Sequence, residues 1–284
     1  MKKFIPLLLL LSLPLTMKAQ TAGDSIDKVE YRINYATKTV PDTTAADSVG
    51  NFYVYEDDEM RLDIGTHSSK FYSARTAVYD KWLKSQVDKG NTNFTNQEGV
   101  PTSPTVDWVV YRNYPEGETS FLGNAVVMNT YRISEKTVTP NWTIGTDTLT
   151  ILGYHCTKAE TDFKGRHWTA WYSEDLPLDY GPWKLIGLPG LILKAEDATH
   201  QFIFTASGME QIGGKEAIAL PKDYKKYEAV TQKQFDKINR TTSPNESLAA
   251  SGIKISFDNG SDADGKFESQ FNKPLPYNPI EIIK

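Results

Sequence analysis

Residues 181–193, GPWKLIGLPGLIL, decide how this chain folds. The stretch is apolar apart from Lys184, and glycine or proline interrupts it at positions 181, 182, 187, 189 and 190. Because proline lacks a backbone donor and glycine favours other backbone regions, the stretch cannot continue as a helix. We expect a shaped, largely buried loop that leads into a strand, with positive φ angles at the glycines of the corner 187–190.

Alternating apolar and polar residues elsewhere predict a β-rich fold. Val29, Tyr31, Ile33 and Tyr35 alternate with polar residues, which is the period of a half-buried strand. Similar signals predict strands at residues 52–55, 60–64, 108–112, 149–156, 167–172, 191–195, 202–205, 253–257 and 280–283, and helices are expected at 73–89 and 221–239. The predicted class is mainly β to α+β: a large curved antiparallel sheet, open or partly closed into a barrel, with one or two covering helices.

The amino terminus has the pattern of a secretory signal peptide. Two lysines precede an apolar run at residues 4–15, and small or polar residues follow near residue 19. We expect residues 1–19 to be removed and residues 20–284 to form one β-rich domain. The apolar run is too short to span a bilayer, and no later segment is longer, so no transmembrane segment is expected in the mature chain.

Charge and cysteine content narrow the partners and the compartment. The chain has 31 basic and 36 acidic residues, and loss of three lysines with the signal peptide leaves 28 against 36, a net charge of −8. This balance argues against nucleic-acid binding, which needs a basic face. Cys156 is the sole cysteine, so there is no disulfide and no lipid-anchor cysteine near residue 19. The expected location is periplasmic or extracellular.

The segment before the opening stretch predicts an aromatic hairpin. Residues 154–160 and 166–173 form its strands, with a turn at Lys164 and Gly165. Neighbouring strand residues point to opposite faces, so each face of the second strand carries a tryptophan, Trp168 or Trp171. Core packing is one interpretation, and a platform for a sugar, a peptide or an apolar chain is the other. The candidate ligand-binding residues are Trp171, Tyr172, Tyr180 and Trp183.

Several short strings in this region resemble the GLPGLI family of secreted bacterial proteins, whose biochemical role is not established. They are GY-x-C-x-KA at residues 153–159, GR-x-W-x-AWY at 165–172, GPWK at 181–184, GLPGLIL at 187–193 and YNPIE at 277–281. The resemblance implies a secreted bacterial protein and no established catalytic residue.

Motifs for catalysis or metal binding are weak. His155 and Cys156 are adjacent on a strand and face opposite sides, so a buried inert cysteine is favoured over a copper or zinc ligand. Glu174 and Asp175 follow the Trp171 strand and leave open a carboxylate-dependent hydrolase. The loop 260–271 lacks the end ligands of a calcium loop. There is no G-x-S-x-G or H-E-x-x-H motif, so no catalytic residue, cofactor or metal is predicted.

These observations favour a soluble envelope protein that binds a ligand or partner without catalysis. The partner could be a small molecule, a peptide, a glycan or an envelope protein. Whether the protein is an enzyme stays open, with a binding protein favoured. The alternatives are an envelope hydrolase that uses carboxylates near Trp171, or metal handling at Cys156.

Overall fold

The computed structural model of the chain describes residues 22–45, 53–90, 99–126, 129–250, 252 and 266–283. Its strands are β1 (Ala22–Thr39), β2 (Glu56–Ile64), β3 (Ser69–Ser73), β4 (Trp108–Arg112), β5 (Glu118–Ala125), β6 (Asn129–Lys136), β7 (Thr143–Ile151), β8 (Tyr154–Phe163), β9 (Arg166–Ser173), β10 (Leu191–Asp197), β11 (Phe202–Pro221) and β12 (Glu228–Ala229). Its helices are α1 (Ala74–Asp88), α2 (Gln232–Thr241), α3 (Pro244–Ala250) and α4 (Lys266–Phe271), with a 3₁₀ turn at Tyr224–Lys226. The predicted signal peptide and the predicted strand at 253–257 lie outside the described residues.

The twelve strands form one sheet in the order β12-β6-β5-β4-β3-β2-β1-β11-β10-β9-β8-β7. Every pair of neighbours is antiparallel except the short β12, which runs parallel to β6. The sheet is not closed into a barrel, since β12 and β7 do not pair with each other. The predicted fold class is confirmed: the protein is mainly β, with one large antiparallel sheet and few helices.

One face of the sheet carries the main core, and we call it the inner face. Large side chains from four strands are almost completely buried there: Ile33 and Tyr35 of β1, Phe71 of β3, Trp168 of β9 and Phe204 of β11. The Tyr35 hydroxyl donates a 2.8 Å hydrogen bond to the carbonyl of Ile192, so its one polar atom is satisfied. The period-two pattern at residues 29–35 therefore identified a strand and its buried face.

Residues 174–190, which connect β9 to β10, pack against the inner face and are called the 174–190 segment. Its Trp183 ring centroid lies 5.4 Å from that of Trp168 and 5.8 Å from that of Phe163. Leu185 has no exposed surface, and Leu188 has 2%. As its prolines and glycines predict, the stretch is buried without forming a helix.

The amino-terminal half of β1 and the carboxyl-terminal half of β11 form a two-stranded ribbon. Residues 22–29 of β1 pair with β11 alone, because pairing with β2 begins only at Tyr31. The ribbon covers part of the opposite, outer face, where Ile218 packs with Tyr111 of β4 and Leu122 of β5. The Tyr111 hydroxyl donates to the carbonyl of Ala219 at 3.1 Å. The middle of the sheet is therefore covered on both faces.

Two tight turns show where the hairpin prediction was right and where it was wrong. The hairpin of β8 and β9 is confirmed, with positive φ at Lys164 (52°) and Gly165 (80°). The predicted strand at 149–156 is instead a second hairpin, because Leu152 (φ 51°) and Gly153 (φ 84°) turn the chain between β7 and β8. Two consecutive positive φ angles are typical of a two-residue hairpin turn, and the apolar Leu152 concealed it.

The predicted helices are right in one case and half right in the other. The helix expected at 73–89 is α1. Of the range 221–239, residues 232–239 belong to α2 and residues 224–226 form the 3₁₀ turn. Helix α2 begins at Gln232 because Thr231 caps it: the Thr231 hydroxyl accepts from the Gln234 amide, and the Gln234 side chain accepts from the Thr231 amide. None of the described helices has the length and apolar character needed to cross a membrane.

Three predicted strands differ from the structure, either in their bounds or in being strands at all. Residues 280–283 are not a strand, and one backbone bond, from the Ile282 amide to the Lys164 carbonyl, holds them to the hairpin turn. In the range 52–55, Tyr53 forms an isolated bridge. Strand β1 also begins seven residues before the alternation at Val29, because β11 pairs with residues 22–28.

Strands β3, β5 and β6 were not predicted, and β5 shows why. The inner core covers one face of β5 and the ribbon covers the other, so apolar and polar residues do not alternate with exposure. Ser120 has no exposed surface, and its hydroxyl donates to the Tyr114 carbonyl at 2.7 Å. A buried serine conceals a strand from a pattern based on hydrophobicity.

The glycine corner at 187–190 uses its glycines for two different reasons. Gly187 has the expected positive φ of 88°. The same expectation is wrong for Gly190, which does not have a positive φ. A Cβ atom at Gly190 would overlap the Ser173 carbonyl group and would lie 2.9 Å from the Glu174 amide nitrogen. Lack of space, and not backbone conformation, therefore requires glycine at position 190.

We expect Gly190→Val, and also Gly190→Ala, to lower the free energy of unfolding by about 2 kcal/mol or more, because backbone must move to admit the new atoms. Gly145→Ala is the control, since its Cβ would have no neighbour nearer than 3.5 Å and it lies on a strand. Urea unfolding of the three variants beside the parent measures the difference. Equal losses at positions 145 and 190 would contradict the packing argument.

Candidate functional site

The four predicted ligand-binding residues do not share one surface. Trp171 and Tyr172 are neighbours on β9 and point to opposite faces of the sheet. Tyr172 lies on the inner face with 2% of its surface exposed, whereas Trp171 is half-buried on the outer face. Alternation along a strand therefore separates this aromatic pair.

Tyr180 and Trp183 belong to the 174–190 segment on the inner side. Trp183 is 3% exposed. Tyr180 is half-buried, and the Arg112 guanidinium lies 4.3 Å from the centroid of its ring. Arg112 also pairs with Asp179, with 2.8 Å between Nη1 and Oδ1. Of the four predicted residues, Trp171 and Tyr180 are those that keep a substantial part of their surface accessible.

Trp171 occupies the centre of a regular arrangement on the outer face. Trp171 is directly opposite Lys158 of β8 and Lys194 of β10. Thr169, two residues earlier on the same face of β9, is directly opposite Glu160 and Glu196. We call these six half-buried residues the Trp171 strip: Lys158, Glu160, Thr169, Trp171, Lys194 and Glu196. A bulge between Ile192 and Lys194 on β10 brings Lys194 opposite Trp171.

Each lysine of the Trp171 strip has a carboxylate partner. Lys158 Nζ lies 3.0 Å from Glu160 Oε1, and Lys194 Nζ lies 3.2 Å from Glu196 Oε2. The hydrogen bond and charge of Lys158 lower the pKa of Glu160. The Trp171 indole nitrogen is buried and makes no hydrogen bond within the part of the chain that is described. What the ring offers to solvent is therefore its carbon surface, bordered on both sides by ion pairs.

Beneath the inner face, a small cavity of about 20 Å³ separates the sheet from the 174–190 segment. Residues from both sides line it, among them Arg112, Glu135, Tyr180, Trp183 and Lys184. A volume of this size holds about one water molecule and no sugar. The cavity is therefore too small to serve as the ligand site expected around Tyr180 and Trp183.

A buried ionic cluster beside this cavity was missed by the sequence analysis. Lys184 Nζ contacts Glu281 Oε1 directly and lies 2.8 Å from Glu135 Oε1. Lys164 Nζ lies 2.5 Å from Glu135 Oε2 and 3.5 Å from Glu281 Oε2, so two lysines share two glutamates. The side chains of Lys184 and Glu281 are 4% and 3% exposed. Burial alone would raise the pKa of Glu135, but the two ammonium groups outweigh it and lower that pKa.

A second polar centre ties the carboxyl-terminal segment to the hairpin. Arg166, 7% exposed, binds Asp197 Oδ2 at 3.0 Å and Asn278 Oδ1 at 2.9 Å. It also donates to the backbone carbonyls of Pro279 and Ile280 at 2.6 and 3.1 Å. Both centres join strings that the sequence analysis had noticed separately, since Lys184 closes GPWK, Glu281 closes YNPIE and Arg166 belongs to GR-x-W.

The described residues offer little for metal binding or hydrolysis at the predicted positions. Cys156 is fully buried, burial raises the pKa of its thiol, and His155 and His167 are exposed. Within the described part of the chain, no group of three or more His, Cys, Asp or Glu side chains could hold a metal ion. Glu174 and Asp175 are exposed in the turn that follows β9. Residues 260–265 of the rejected calcium loop lie outside the described residues.

Comparison with protein families corrects the predicted family. Residues 119–236 match the family described as N-glycanase peptide, N-terminal domain. This match extends from β5 into α2 and covers less than half of the chain. The predicted membership of the GLPGLI family is wrong, because the matching family is the N-glycanase N-terminal domain and nothing points to the GLPGLI family.

Two solved structures of PNGF-II are similar to part of this chain. The structure in the C2 space group is 16% identical, covers 73% of this chain and 32% of its own, and has a TM-score of 0.45. The structure in the P21 space group is 15% identical, with coverages of 76% and 36% and a TM-score of 0.43. This chain thus spans about a third of the length of those proteins. No curated protein matches it.

The ionic cluster should behave as a mutually dependent unit. We expect Glu281→Leu to lower the free energy of unfolding by about 3 kcal/mol, because it leaves the buried Lys184 without its closest partner. Adding Lys184→Met should restore most of the loss, since both positions are then apolar. Lys158→Met, which breaks an ion pair at the surface, should cost much less than either cluster change, because water screens that pair. Chemical unfolding of the parent, the two single cluster variants and the double variant gives a double-mutant cycle. If the losses at Glu281 and Lys184 simply add, the two residues are not mutually dependent.

The same cluster should contribute to acid sensitivity. Because the folded protein lowers the pKa of Glu135 from 4.5, its contribution to stability is present above about pH 4.5 and is lost as pH falls through the folded-state pKa. Glu135→Gln should therefore reduce the dependence of stability on pH in this acidic range. Unfolding free energies from pH 6 to pH 3 test this, and parallel curves for parent and variant would count against it.

Proposed function

We propose that this chain is an exported protein that binds glycans without catalysis, and that the Trp171 strip is the binding surface. The observation that carries the proposal is the half-buried indole ring of Trp171, which lies between two lysine–glutamate pairs on the outer face. Part of the ring packs against the core, and its neighbours across the sheet are the charged residues Lys158 and Lys194, so the rest of its surface faces polar groups.

The chemistry of the Trp171 strip suits a sugar. The apolar face of a sugar ring packs on an aromatic ring, while its hydroxyl groups need donors and acceptors around that contact. Lys158 and Lys194 supply donors, and Glu160 and Glu196 supply acceptors. Because the lysines pair with the glutamates on the same face, the side chains are held in place before a ligand arrives, which reduces the cost of ordering them.

The family match supports the ligand class. It covers β8, β9 and β10, the three strands that carry the Trp171 strip, and its description names N-glycanase. A domain described as part of an N-glycanase is expected to operate close to N-linked glycans. We therefore place N-glycans and glycopeptides first among the partners left open by the sequence, ahead of other small molecules, free peptides and envelope proteins.

The lowered pKa of Glu160 argues against a general acid at this position of the Trp171 strip. A general acid must keep its proton near neutral pH, which requires a raised pKa. Lys158 instead lowers the pKa of Glu160. Export rests on the signal-peptide pattern of residues 1–19, and an extracytoplasmic location would bring the protein into contact with glycans.

We expect the purified mature protein to bind N-glycopeptides, and Trp171→Ala to weaken this binding about tenfold through loss of the stacking surface. Trp171→Phe should retain most of the affinity because a ring remains. Ile144→Ala is the surface control: Ile144 is 54% exposed and pairs with Ala159, which places it on the inner side of the edge strand β7. Calorimetry measures affinity, and melting temperatures check that each variant is folded.

Different outcomes would contradict different parts of the proposal. If neither N-glycopeptides nor their released glycans bind, glycan recognition is wrong. Binding that Trp171→Ala does not change would place the site elsewhere. Mass spectrometry of the incubated glycopeptide tests catalysis, and release of the glycan or cleavage within it would overturn the non-catalytic assignment.

A further inference from the structure

A group of three cations lies on the outer face, on strands β1 to β3 and apart from the Trp171 strip. Arg32 of β1, Arg61 of β2 and Lys70 of β3 project there beside two carboxylates, Asp63 and Glu216. Glu210 of β11, opposite Arg32, and Glu59 of β2 lie on the same face, so the question is which cation lacks a direct partner.

Arg32 binds both Asp63 and Glu216. Its Nε and Nη2 donate to the two oxygens of Asp63 at 2.6 and 3.0 Å, and Nη2 also donates to Glu216 Oε2 at 2.8 Å. The hydrogen bond to Asp63 raises the pKa of Arg32. The Tyr72 hydroxyl donates to Asp63 Oδ2 at 3.0 Å. Asp63 is therefore already occupied by Arg32 and Tyr72.

Lys70 is left without a counter-ion. Among the residues that the structure describes, no carboxylate lies within ion-pair distance of its ammonium group, which instead lies 4.3 Å from the ring centroid of Tyr72 and 5.6 Å from that of Tyr111. Lysine is seldom enclosed without a partner, because its charge loses hydration. Desolvation lowers the pKa of Lys70 to about 8, and the nearby Asp63 offsets only part of that effect.

Arg61 adds a second cation with free donors. Its Nε donates to the Asn34 side-chain oxygen at 3.2 Å, a neutral acceptor. No carboxylate within the described ranges pairs with it. Arg61 and Tyr72 are directly opposite each other on β2 and β3, and Lys70 is two residues from Tyr72, so the two cations flank one ring. Lys70, Arg61 and Tyr72 are all half-buried, so each keeps part of its surface exposed.

We propose that Lys70 and Arg61, with Tyr72 between them, form a binding site for an oxyanion, a carboxylate or a phosphate group carried by a ligand. The anion would supply the counter-charge that the fold withholds from Lys70. Arginine and lysine together suit oxyanions, because the guanidinium offers paired donors and the ammonium offers a compact charge. The site is separate from the Trp171 strip and does not depend on the glycan proposal.

The test uses three probes on the mature protein: inorganic phosphate, sialyllactose, which carries a carboxylate, and lactose, which carries none. We expect phosphate, sialyllactose or both to bind, and lactose not to bind at this site. Phosphate alone would identify a phosphate ligand, and sialyllactose alone an acidic sugar. The two sugars are compared in the Trp171→Ala variant, which removes the proposed stacking surface; failure of both anions to bind, or equal binding of lactose and sialyllactose in that variant, would overturn the proposal.

Variants locate the site and distinguish it from the Trp171 strip. Lys70→Met keeps the aliphatic stem between the tyrosine rings and should weaken anion binding at least tenfold, as should Arg61→Gln. Lys226→Met is the control, because Lys226 is paired with Asp223 and belongs to neither proposed site. Trp171→Ala should leave phosphate binding unchanged. Equal effects of Lys70→Met and Lys226→Met would show a nonspecific charge effect and would overturn the site.

An NMR readout follows the Lys70 amine itself. Bound anion should raise the pKa of that amine, because a nearby negative charge favours the protonated form. The melting temperature of Lys70→Met should be no lower than that of the parent, since a desolvated charge is removed. An amine whose titration is unchanged when phosphate or sialyllactose is bound would overturn the assignment.

Discussion

The ammonium group of Lys184 is the point on which the rest of the structure depends. It lies in the 174–190 segment, yet its partners are Glu135 on β6 and Glu281 near the carboxyl terminus. A buried charge without partners is costly, so satisfying Lys184 brings together a loop, a strand and a terminal segment at one place. That requirement also positions Trp183, the neighbour of Lys184, against Trp168, and so fixes how the inner face is filled.

Filling the inner face leaves recognition to the outer one. The 174–190 segment, α2 and the terminal segment occupy the inner side and leave a cavity that holds about one water molecule. Within the part of the chain that the structure describes, the ribbon of β1 and β11 covers the outer face over β4 and β5. Trp171 and Lys70 on that face are half-buried and keep part of their surface exposed. Aromatic side chains thus stabilise the core on one side and are available to a ligand on the other.

The two outer regions differ in how their charges are balanced. Around Trp171, each lysine has a carboxylate on the same face, which suits a neutral, hydroxyl-rich ligand. Around Lys70, the carboxylates are taken by Arg32, and the remaining cations face neutral groups. Both arrangements follow from strand register, because a shift of one residue would move every one of these side chains to the inner face.

The sequence by itself determined the class of fold, because the alternation at residues 29–35, 60–64 and 167–172 reflects one buried and one open face. It also determined that residues 181–193 could not be a helix. It did not reveal β5, where burial on both faces removes the alternation, nor the turn at Leu152, where an apolar residue occupies a turn. Nor could it relate Lys184 to Glu281 or Lys70 to Arg61. Those contacts join positions far apart in the chain or on neighbouring strands, and only the packing of the sheet decides which charges are paired and which are left for a ligand.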